Sequence, residues 1–403
     1  MTSQLILGNG HGIAIASDSA VTMGMRRTFE TSEKIYPLPM PHRLAVTHAG
    51  NVMFHGLPYG TLINEWIRSL GEVQLRSVHL YRENFNSWLL DNYRRWTTDY
   101  NLTADILDCF YDDFNRIWNY LKTDEDRNDL EKVRALWQAE IRAAENFDPA
   151  TPAARQVAAQ QFSRLWPQSG QFGASSIEAS FEYWFDDVAS TDEIVDLAKR
   201  YVTVSLESRY PGSGRSRAFL NFVGFGSNEM LPTVCSFASF GAIWDLLYTL
   251  EAGDTYADRE GSGVYLIRPS GQYDAIDLIF RGFDSGFIDA TKTAVSKALA
   301  GGGQDSAQPG ENSADVQNLG SLIEDSFNDY SEFKKLSGLR RAIAGMPLAS
   351  LARTAKSLID VQRLSLDIAG ELGTVGGQVD VGTITLKDGF RWIRQKEYGD
   401  YID

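Results

Sequence analysis

The chain has 403 residues, of which 43% are hydrophobic and 23% charged, and both values are ordinary for a globular protein. Its formal net charge of -15 argues against nucleic acid and anionic membranes as partners, because both attract clusters of Lys and Arg. The only cysteines are Cys109 and Cys235, so the sequence predicts no disulfide framework and a cytoplasmic location. The first apolar stretch, residues 5–7, is short and lacks a basic flank, which predicts that there is no signal peptide.

The first elements form a predicted hairpin. Residues 4–7 and 13–18 are apolar runs of strand length, and residues 8–12 between them are rich in glycine. Glycines at this spacing also occur in phosphate-binding loops, but such loops lead directly into a helix, whereas a strand-like run follows here. A run at residues 34–36, a strand at residues 43–47 and a helix over residues 52–70 complete the N-terminal part.

Residues 71–215 differ in character and are predicted to form a helical insertion or subdomain. Apolar side chains recur at helical spacing over residues 85–96, 106–121 and 130–141, and residues 187–207 are a further helical candidate. Aromatic residues are frequent in these stripes. We interpret them as core residues rather than as a cofactor site, and no cofactor is predicted.

The rest of the chain mixes strands and helices. Strands are predicted at residues 219–225, 231–240 and 262–268, and helices at residues 272–280 and 347–368. Residues 301–317 are rich in Gly, Ser, Asp and Gln and are predicted to form a flexible loop. A hairpin of residues 379–386 and 390–393 follows. Strands at both ends with helices between them indicate two sheets between layers of helices.

Thr2 directly follows Met1, and a residue as small as Thr permits removal of the initiator methionine. Removal would place a hydroxyl nucleophile and a free α-amine on one residue. An α-amine has a pKa of roughly 7.7–8.0, so part of it is neutral at cytosolic pH and can accept a proton. Together the two groups form the threonine version of a self-activated nucleophile.

Such a nucleophile needs a buried cation, a carboxylate that holds the cation, and backbone N–H groups that face the developing oxyanion. Asp18 ends the second predicted strand, beside the first, which places it near the N-terminus. Lys34 lies in a run that can pair with these strands, and Gly50 follows a strand in a turn. These three residues are the predicted partners of Thr2.

The segments after Thr2 resemble, in order, those of proteasome β-type subunits, HslV and Anbu-like peptidases, which are N-terminal nucleophile (Ntn) hydrolases. Residues 12–18 resemble the family's strand that ends in Asp, residues 34–36 its Lys-Ile-hydrophobic element and residues 45–50 the strand before its oxyanion glycine. Residues 376–389 resemble its C-terminal glycine pair and hairpin. Thr2 to Asp18 and Asp18 to Lys34 are both intervals of sixteen residues, as in the family.

The resemblance implies an α/β fold: a four-layer αββα sandwich of two mostly antiparallel sheets with a large helical insertion. The core would comprise residues 2–70 and 216–403, including the flexible loop at residues 301–317. The insertion would comprise residues 71–215, which have no counterpart in a standard β-type subunit. The resemblance is specific over residues 2–70 and about 348–395, and weaker over residues 219–285.

The resemblance also implies a threonine-type peptidase or amidohydrolase. Thr2 would attack the scissile carbonyl, Lys34 and Asp18 would activate it, and the Gly50 N–H would stabilise the oxyanion. The substrate strand and the first specificity pocket would be lined by Val21, Thr22, Tyr36, His48 and Val52.

Two departures from the family's pattern concern activity more than fold. The family has an Asp and a Ser before its C-terminal glycine pair, where this sequence has Leu372 and Val375, with Glu371 or Thr374 as the nearest substitutes. Its Gly-Ser-Gly helix start is also absent, and residues 271–272 and 285–286 are imperfect replacements. A weak or inactive scaffold subunit and an amidase for a small non-peptide amide are therefore alternative functions.

A peptide or an unfolded protein is the predicted substrate. A homo-oligomer is one assembly open to the chain, and because of the insertion the sequence does not decide between monomers, dimers and rings. An ATPase partner is suggested by analogy only. The histidines at positions 11, 42, 48 and 55 lie on different loops without ligand spacing, so no metal is predicted. Cys235 lies in an apolar strand and is predicted to be a buried core thiol.

Overall fold

The computed structural model describes residues 2–23, 27–29, 32–97, 113, 116–117, 119–121, 129–147, 192–208, 217–243, 246–257, 263–283, 285–301, 312–369 and 375–396. The strands are β1 (Ser3–Asn9), β2 (Gly12–Ser17), β3 (Val21–Met23), β4 (Arg27–Phe29), β5 (Ile35–Pro37), β6 (Arg43–Gly50), β7 (Met53–Phe54), β8 (Leu57–Pro58), β9 (Ala218–Phe225), β10 (Thr233–Ile243), β11 (Leu246–Tyr256), β12 (Tyr265–Gly271), β13 (Asp380–Thr385) and β14 (Gly389–Arg394). The helices are α1 (Tyr59–Leu70), α2 (Val78–Asn92), α3 (Leu130–Phe147), α4 (Asp192–Glu207), α5 (Asp274–Arg281), α6 (Ser285–Gly301), α7 (Asn312–Ser331), α8 (Ser337–Ala344) and α9 (Leu348–Ala369).

Two five-stranded sheets form the centre of the molecule. The first has the strand order β12-β1-β2-β13-β14, and the second has the order β11-β10-β9-β6-β5. All strand pairs in both sheets are antiparallel. The predicted hairpins at the two ends of the sequence are β1–β2 and β13–β14, and β13 pairs with β2, so the two hairpins lie side by side.

Side-chain alternation along the strands packs the two sheets against each other. Ile6, Ile13 and Ile15 of the first sheet are fully buried and pack with Ala45 and Val223 of the second. Because successive side chains of a strand point to opposite faces, the neighbours of these residues face away from the second sheet. The shared apolar layer therefore joins the two sheets.

Helices cover the outer face of the first sheet. Leu5 of β1 and Ala14 of β2 pack with Leu351 of α9, and the same cluster includes Ile276 of α5 and Ile343 of α8. The small side chains on β2 leave room for α9 to lie close to the strand. This helix layer and the sheet beneath it form one half of the sandwich.

A second helix layer covers the outer face of the other sheet. Val46 of β6 and Phe222 of β9 pack with Trp66 of α1 and Phe85 of α2. The aromatic residue Phe85 is fully buried, as predicted for a core position. The layers are therefore helix, sheet, sheet and helix, and the predicted fold class is confirmed.

Three local predictions differ from the structure. α1 begins at Tyr59 rather than at residue 52, because β7 and β8 form a small ribbon before it. The strand β11 was not predicted; it is an edge strand with bulges against β10, so its apolar residues do not alternate regularly. Residues 312–317 belong to α7 rather than to the predicted loop, because Asn and Ser can start a helix and Ala, Val and Leu follow.

The predicted domain division stays a prediction. Within the described residues, α2 packs on β9 and β10, whereas α3 and α4 pack on each other through Trp137 and Tyr201. Most of the predicted helix at residues 106–121 lies outside the described residues. None of the helices in the described ranges is both long and apolar enough to cross a lipid bilayer.

Candidate active site

The layer between the sheets becomes polar at the end where Thr2 lies. Gln4 donates to the His48 carbonyl at 2.7 Å, which joins β1 to β6 across the layer. Asn221 of β9 donates to Thr47 at 2.9 Å and to Ser270 of β12 at 3.3 Å. Buried polar groups require hydrogen-bond partners. This end of the interior offers donors and acceptors to a buried charge, whereas the isoleucine layer offers none from its side chains.

A buried ion pair joins the two sheets at this end, because Asp18 follows β2 of the first sheet and Lys34 precedes β5, which pairs with β6 of the second sheet rather than with β1 or β2. The Lys34 ammonium donates to Asp18 Oδ1 at 2.7 Å, and the two side chains are 2% and 1% exposed. The same ammonium donates to the Ala20 carbonyl at 2.5 Å. Lys34 is therefore not an ordinary surface lysine, because its ammonium group is buried and donates hydrogen bonds to two oxygen atoms of the protein instead of to water.

Asp18 is held by backbone groups from both ends of the chain. It directly follows β2, and its own N–H donates to the Ser3 carbonyl at 3.1 Å. Its carboxylate accepts from the Ser3 N–H at 3.0 Å through Oδ1 and from the Gly376 N–H at 3.2 Å through Oδ2. The carboxylate thus connects Lys34 to the residue that follows Thr2.

The environment of Lys34 changes its acidity. Burial lowers the pKa of the ammonium, while the nearby Asp18 carboxylate opposes this shift by attraction and by its hydrogen bond. Desolvation disfavours the charged form of a lysine, and an adjacent anion favours it. Lys34 therefore releases its proton more readily than an exposed lysine does.

Thr2 is also buried, and β12 holds its backbone. The Thr2 carbonyl accepts from the Gln272 N–H at 2.7 Å. Gly271 lies opposite Ser3 in the β1–β12 pair and has a φ of +80°. A Cβ at residue 271 would lie 1.9 Å from the Thr2 carbonyl oxygen, so only glycine permits this approach.

A cavity of about 520 Å³ lies beside Thr2, and Gly50 lines it as well. Gly50 ends β6 with a φ of +83°, and a Cβ there would lie 2.3 Å from the Arg217 carbonyl oxygen. The other lining residues are Phe219, Gly271, Gln272, Tyr273, Asp274, Asp277 and Arg281. The structure thus brings the predicted nucleophile and the predicted oxyanion glycine to one cavity.

A second cavity of about 280 Å³ contains three of the five predicted substrate-lining residues, namely Tyr36, His48 and Val52. The remaining lining residues are Ser32, Glu33, Pro58, Gly60, Thr61 and Asn64. The other two predicted residues, Val21 and Thr22, lie on β3. Val21 is not among the described residues that line this cavity, and the side chain of Thr22 lies outside the described part of the structure.

His48 lines the second cavity and also contacts the segment of Lys34. Its backbone N–H donates to the Lys34 carbonyl at 3.0 Å, and its ring Nε2–H donates to the Asn51 carbonyl at 2.8 Å. Burial lowers the pKa of His48 to about 4, and the Lys34 charge acts in the same direction. The ring is therefore neutral at pH 7.

Some residues of the site were not predicted from the sequence. The helix predicted at residues 272–280 is α5, but the sequence did not indicate that the segment from Gly271 into this helix lines the cavity beside Thr2. Val375 is buried where the family has a Ser. Leu372, with the suggested substitutes Glu371 and Thr374, lies outside the described residues.

A cluster of His79, Cys235 and Asp254 has the composition of a metal site, but a cation already lies there. Arg82 donates to Asp254 at 3.2 Å and to His79 Nδ1 at 2.8 Å, so its guanidinium engages two of the three potential ligands. Burial raises the pKa of the Cys235 thiol to about 12, which opposes formation of the thiolate that would bind a metal. The cluster is a structural ion-pair network around Arg82.

No protein-family model and no curated protein matches the sequence. Among solved structures, the chain is similar to an Anbu (Gly-1) mutant from Hyphomicrobium sp. strain MC1, with 11% identity and a TM-score of 0.32 over 98% of this chain and 86% of that one. It is also similar to Anbu (ancestral beta-subunit) from Yersinia bercovieri, with 10% identity and a TM-score of 0.33 over 99% and 91% of the two chains. These proteins belong to the group that the sequence resembles. The fold class itself is shown by the two antiparallel sheets and the two helix layers described above.

Proposed function

We propose that this chain is a threonine-type peptidase or amidohydrolase that uses Thr2 as its nucleophile once Met1 has been removed. The observation that carries the proposal is the buried Lys34–Asp18 pair, whose carboxylate holds the N–H of the residue after Thr2. Burial of two charges costs desolvation energy, and such a pair is weak evidence for stability. Its place beside the N-terminal residue supports a catalytic role instead.

The proposed reaction consumes only an amide and water. Thr2 Oγ attacks the amide carbonyl while the Thr2 α-amine accepts the hydroxyl proton, and the Gly50 N–H donates to the resulting oxyanion. The C–N bond then breaks, and the amine passes the proton to the leaving nitrogen, which leaves an ester on Thr2. Water attacks the ester with the same amine as base, and the hydroxyl is regenerated.

Lys34 supports this cycle electrostatically. A positive charge near the N-terminus favours the alkoxide character that Thr2 develops during attack, and Asp18 holds that charge in one position. Because Lys34 and Asp18 are both buried, water screens their field less than it would at the surface. The proposed roles are orientation by Asp18 and charge stabilisation by Lys34.

The two cavities support a peptide substrate. Gly50 lines the larger cavity, and His48 and Val52 on either side of it in sequence line the smaller one. A chain bound along this segment can therefore reach both cavities while its carbonyl faces Thr2. The volume of the larger cavity lies within the usual range of ligand pockets.

The test is covalent labelling of the natively processed chain by a β-lactone, read by intact mass. The mature chain should lack Met1 and gain one acyl group, and peptide mapping should place that group on Thr2. Thr2→Ala should abolish both labelling and hydrolysis of unstructured peptides. Thr291→Ala, on α6, is the matched control because Thr291 does not line the cavity beside Thr2, and this variant should label at the unaltered rate.

Two results would overturn the proposal. Labelling that persists in Thr2→Ala would mean that another group is the nucleophile. A native chain that retains Met1 would have no free Thr2 amine, and it would fit the alternative of an inactive scaffold.

A further inference from the structure

A second buried ion pair lies close to the first. The Lys396 ammonium donates to Asp380 Oδ2 at 2.5 Å, and the Lys396 N–H donates to Asp380 Oδ1 at 2.8 Å. Both side chains are buried. Lys396 follows β14, and Asp380 begins β13, so the pair belongs to the C-terminal hairpin.

This pair contacts the segment that carries Lys34. The Lys396 ammonium also donates to the Ser32 carbonyl at 2.8 Å, two residues before Lys34. The Ser32 N–H donates to the Ser19 carbonyl at 3.0 Å, next to Asp18. Lys396 therefore binds the segment that directly precedes Lys34. The same segment is bonded to Ser19, in the loop after β2.

Asp380 is positioned next to Asp18 by the pairing of β13 with β2. In the β2–β13 pair it lies opposite Ser17, the residue directly before Asp18. The two acidic residues therefore come from adjacent strands at one end of the sheet, and each accepts a buried lysine. Each lysine also donates to a backbone carbonyl, at Ala20 or Ser32.

The charges around Lys34 come from several elements. Asp18 follows β2, Asp380 lies on β13, Lys396 follows β14, and the titratable ring of His48 lies on β6. Lys396 acts to lower the pKa of Lys34, whereas Asp380 acts to raise it. The processed Thr2 would add an α-amine. Within this group, the opposite charges of Asp380 and Lys396 cancel each other, and loss of either residue leaves the other as an unbalanced buried charge.

We propose that Asp380 and Lys396 are a positioning pair for Lys34. By binding the Ser32 carbonyl, Lys396 fixes the segment that carries Lys34 and so keeps the Lys34 ammonium in contact with Asp18. Asp380 neutralises the positive charge of Lys396. The inference rests on the proposed function for its effect on catalysis. Its electrostatic part concerns Lys34 itself and can be measured in a chain that catalyses nothing.

The test uses Lys396→Met, Asp380→Asn and the double variant, each in the full chain. The Lys34 titration midpoint is read from the ¹³Cε and ¹⁵Nζ resonances of labelled lysines, assigned with Lys34→Arg. Lys396→Met leaves the Asp380 anion unbalanced and should raise the midpoint, and Asp380→Asn leaves the Lys396 cation and should lower it. A merely structural role would not produce shifts of opposite sign.

The double variant separates position from charge. It leaves neither group unpaired, so it should fold where a single variant does not, and its Lys34 midpoint should lie near the wild-type value. Because the hold on Ser32 is lost, β-lactone labelling of Thr2 should be roughly tenfold slower. The single variant Lys396→Arg keeps a cationic donor beside Ser32 and Asp380, so its labelling rate should be close to that of the wild type.

Lys356→Met and Asp360→Asn are the matched controls, since these residues form a partly exposed ion pair on α9. Neither control should move the Lys34 midpoint or the labelling rate. Equal midpoints in all variants, shifts of the same sign in both single variants, or wild-type labelling in the double variant would each overturn the inference. A wild-type chain that never labels would instead contradict the proposed function, and the Lys34 midpoints would still decide the electrostatic part.

Discussion

At the scale of the residue, burial distinguishes the candidate site from ordinary polar positions. Asp18 and Lys34 belong to residue types that are common on surfaces, yet both are almost fully removed from solvent and bonded to each other. A buried charge that loses its partner has no solvent to replace it. The energetic consequences of changing either residue should therefore be large.

We expect Lys34→Met to destabilise the fold by about 3–5 kcal/mol, because Asp18 would be left as an unpaired buried anion. Adding Asp18→Asn should recover part of this loss. Arg68→Met, which breaks the exposed Arg68–Glu65 pair, should cost less than about 1 kcal/mol. Urea unfolding of the four chains measures these differences, and equal costs at Lys34 and Arg68 would contradict the buried pair.

His48 should make stability depend on pH. Its pKa is about 4 in the folded chain and 6.5 when unperturbed, so the unfolded chain binds the proton first as pH falls. The stability is fully present above pH 6.5 and decreases as the pH falls to about 4. Over this window, unfolding free energy should fall by about 3 kcal/mol more in the wild type than in His48→Gln, measured by urea unfolding at several pH values. Parallel pH curves for the two chains would show that His48 is not buried as a neutral ring.

At the scale of the element, the end of β12 must come unusually close to the N-terminal residue. Gly271→Ala would place a Cβ against the Thr2 carbonyl and should both destabilise the chain and abolish labelling of Thr2. Gly253→Ala, on β11, is a matched control because it has the same φ of +80° but no neighbour within 4 Å. It should cost only about 1–2 kcal/mol of backbone strain and leave labelling unchanged. If the two substitutions have equal effects, the close approach at Thr2 is not the cause.

At the scale of the whole molecule, the apolar layer between the sheets should determine cooperative unfolding. Ile15→Ala removes a fully buried side chain from this layer and should cost about 2–5 kcal/mol. Ile393→Ala makes the same chemical change at a side chain that is 61% exposed and should cost less than about 0.5 kcal/mol. Both values come from urea unfolding, and a small effect at Ile15 would contradict the layered packing.

The candidate site also depends on the whole molecule, because its residues come from both ends of the chain. Asp18 accepts from Ser3 near one end of the chain and from Gly376 near the other, and Lys396 reaches Ser32 across a similar separation in sequence. The antiparallel pair of β2 and β13 brings these segments together. A site of this kind cannot form before both hairpins have joined one sheet.

The sequence did not predict α6, α7 or α8, but it predicted the strands at both ends of the chain and the helices α1–α5 and α9, and its spacing and family resemblance marked Thr2, Asp18, Lys34 and Gly50 as candidates. Such features depend on local periodicity and spacing, which can be read without knowledge of the fold. It did not reveal β11, the role of Gly271 beside Thr2, or the meeting of Asp380 and Lys396 with Lys34. These depend on which strands become neighbours and on which charges are buried together, and only tertiary packing decides either one.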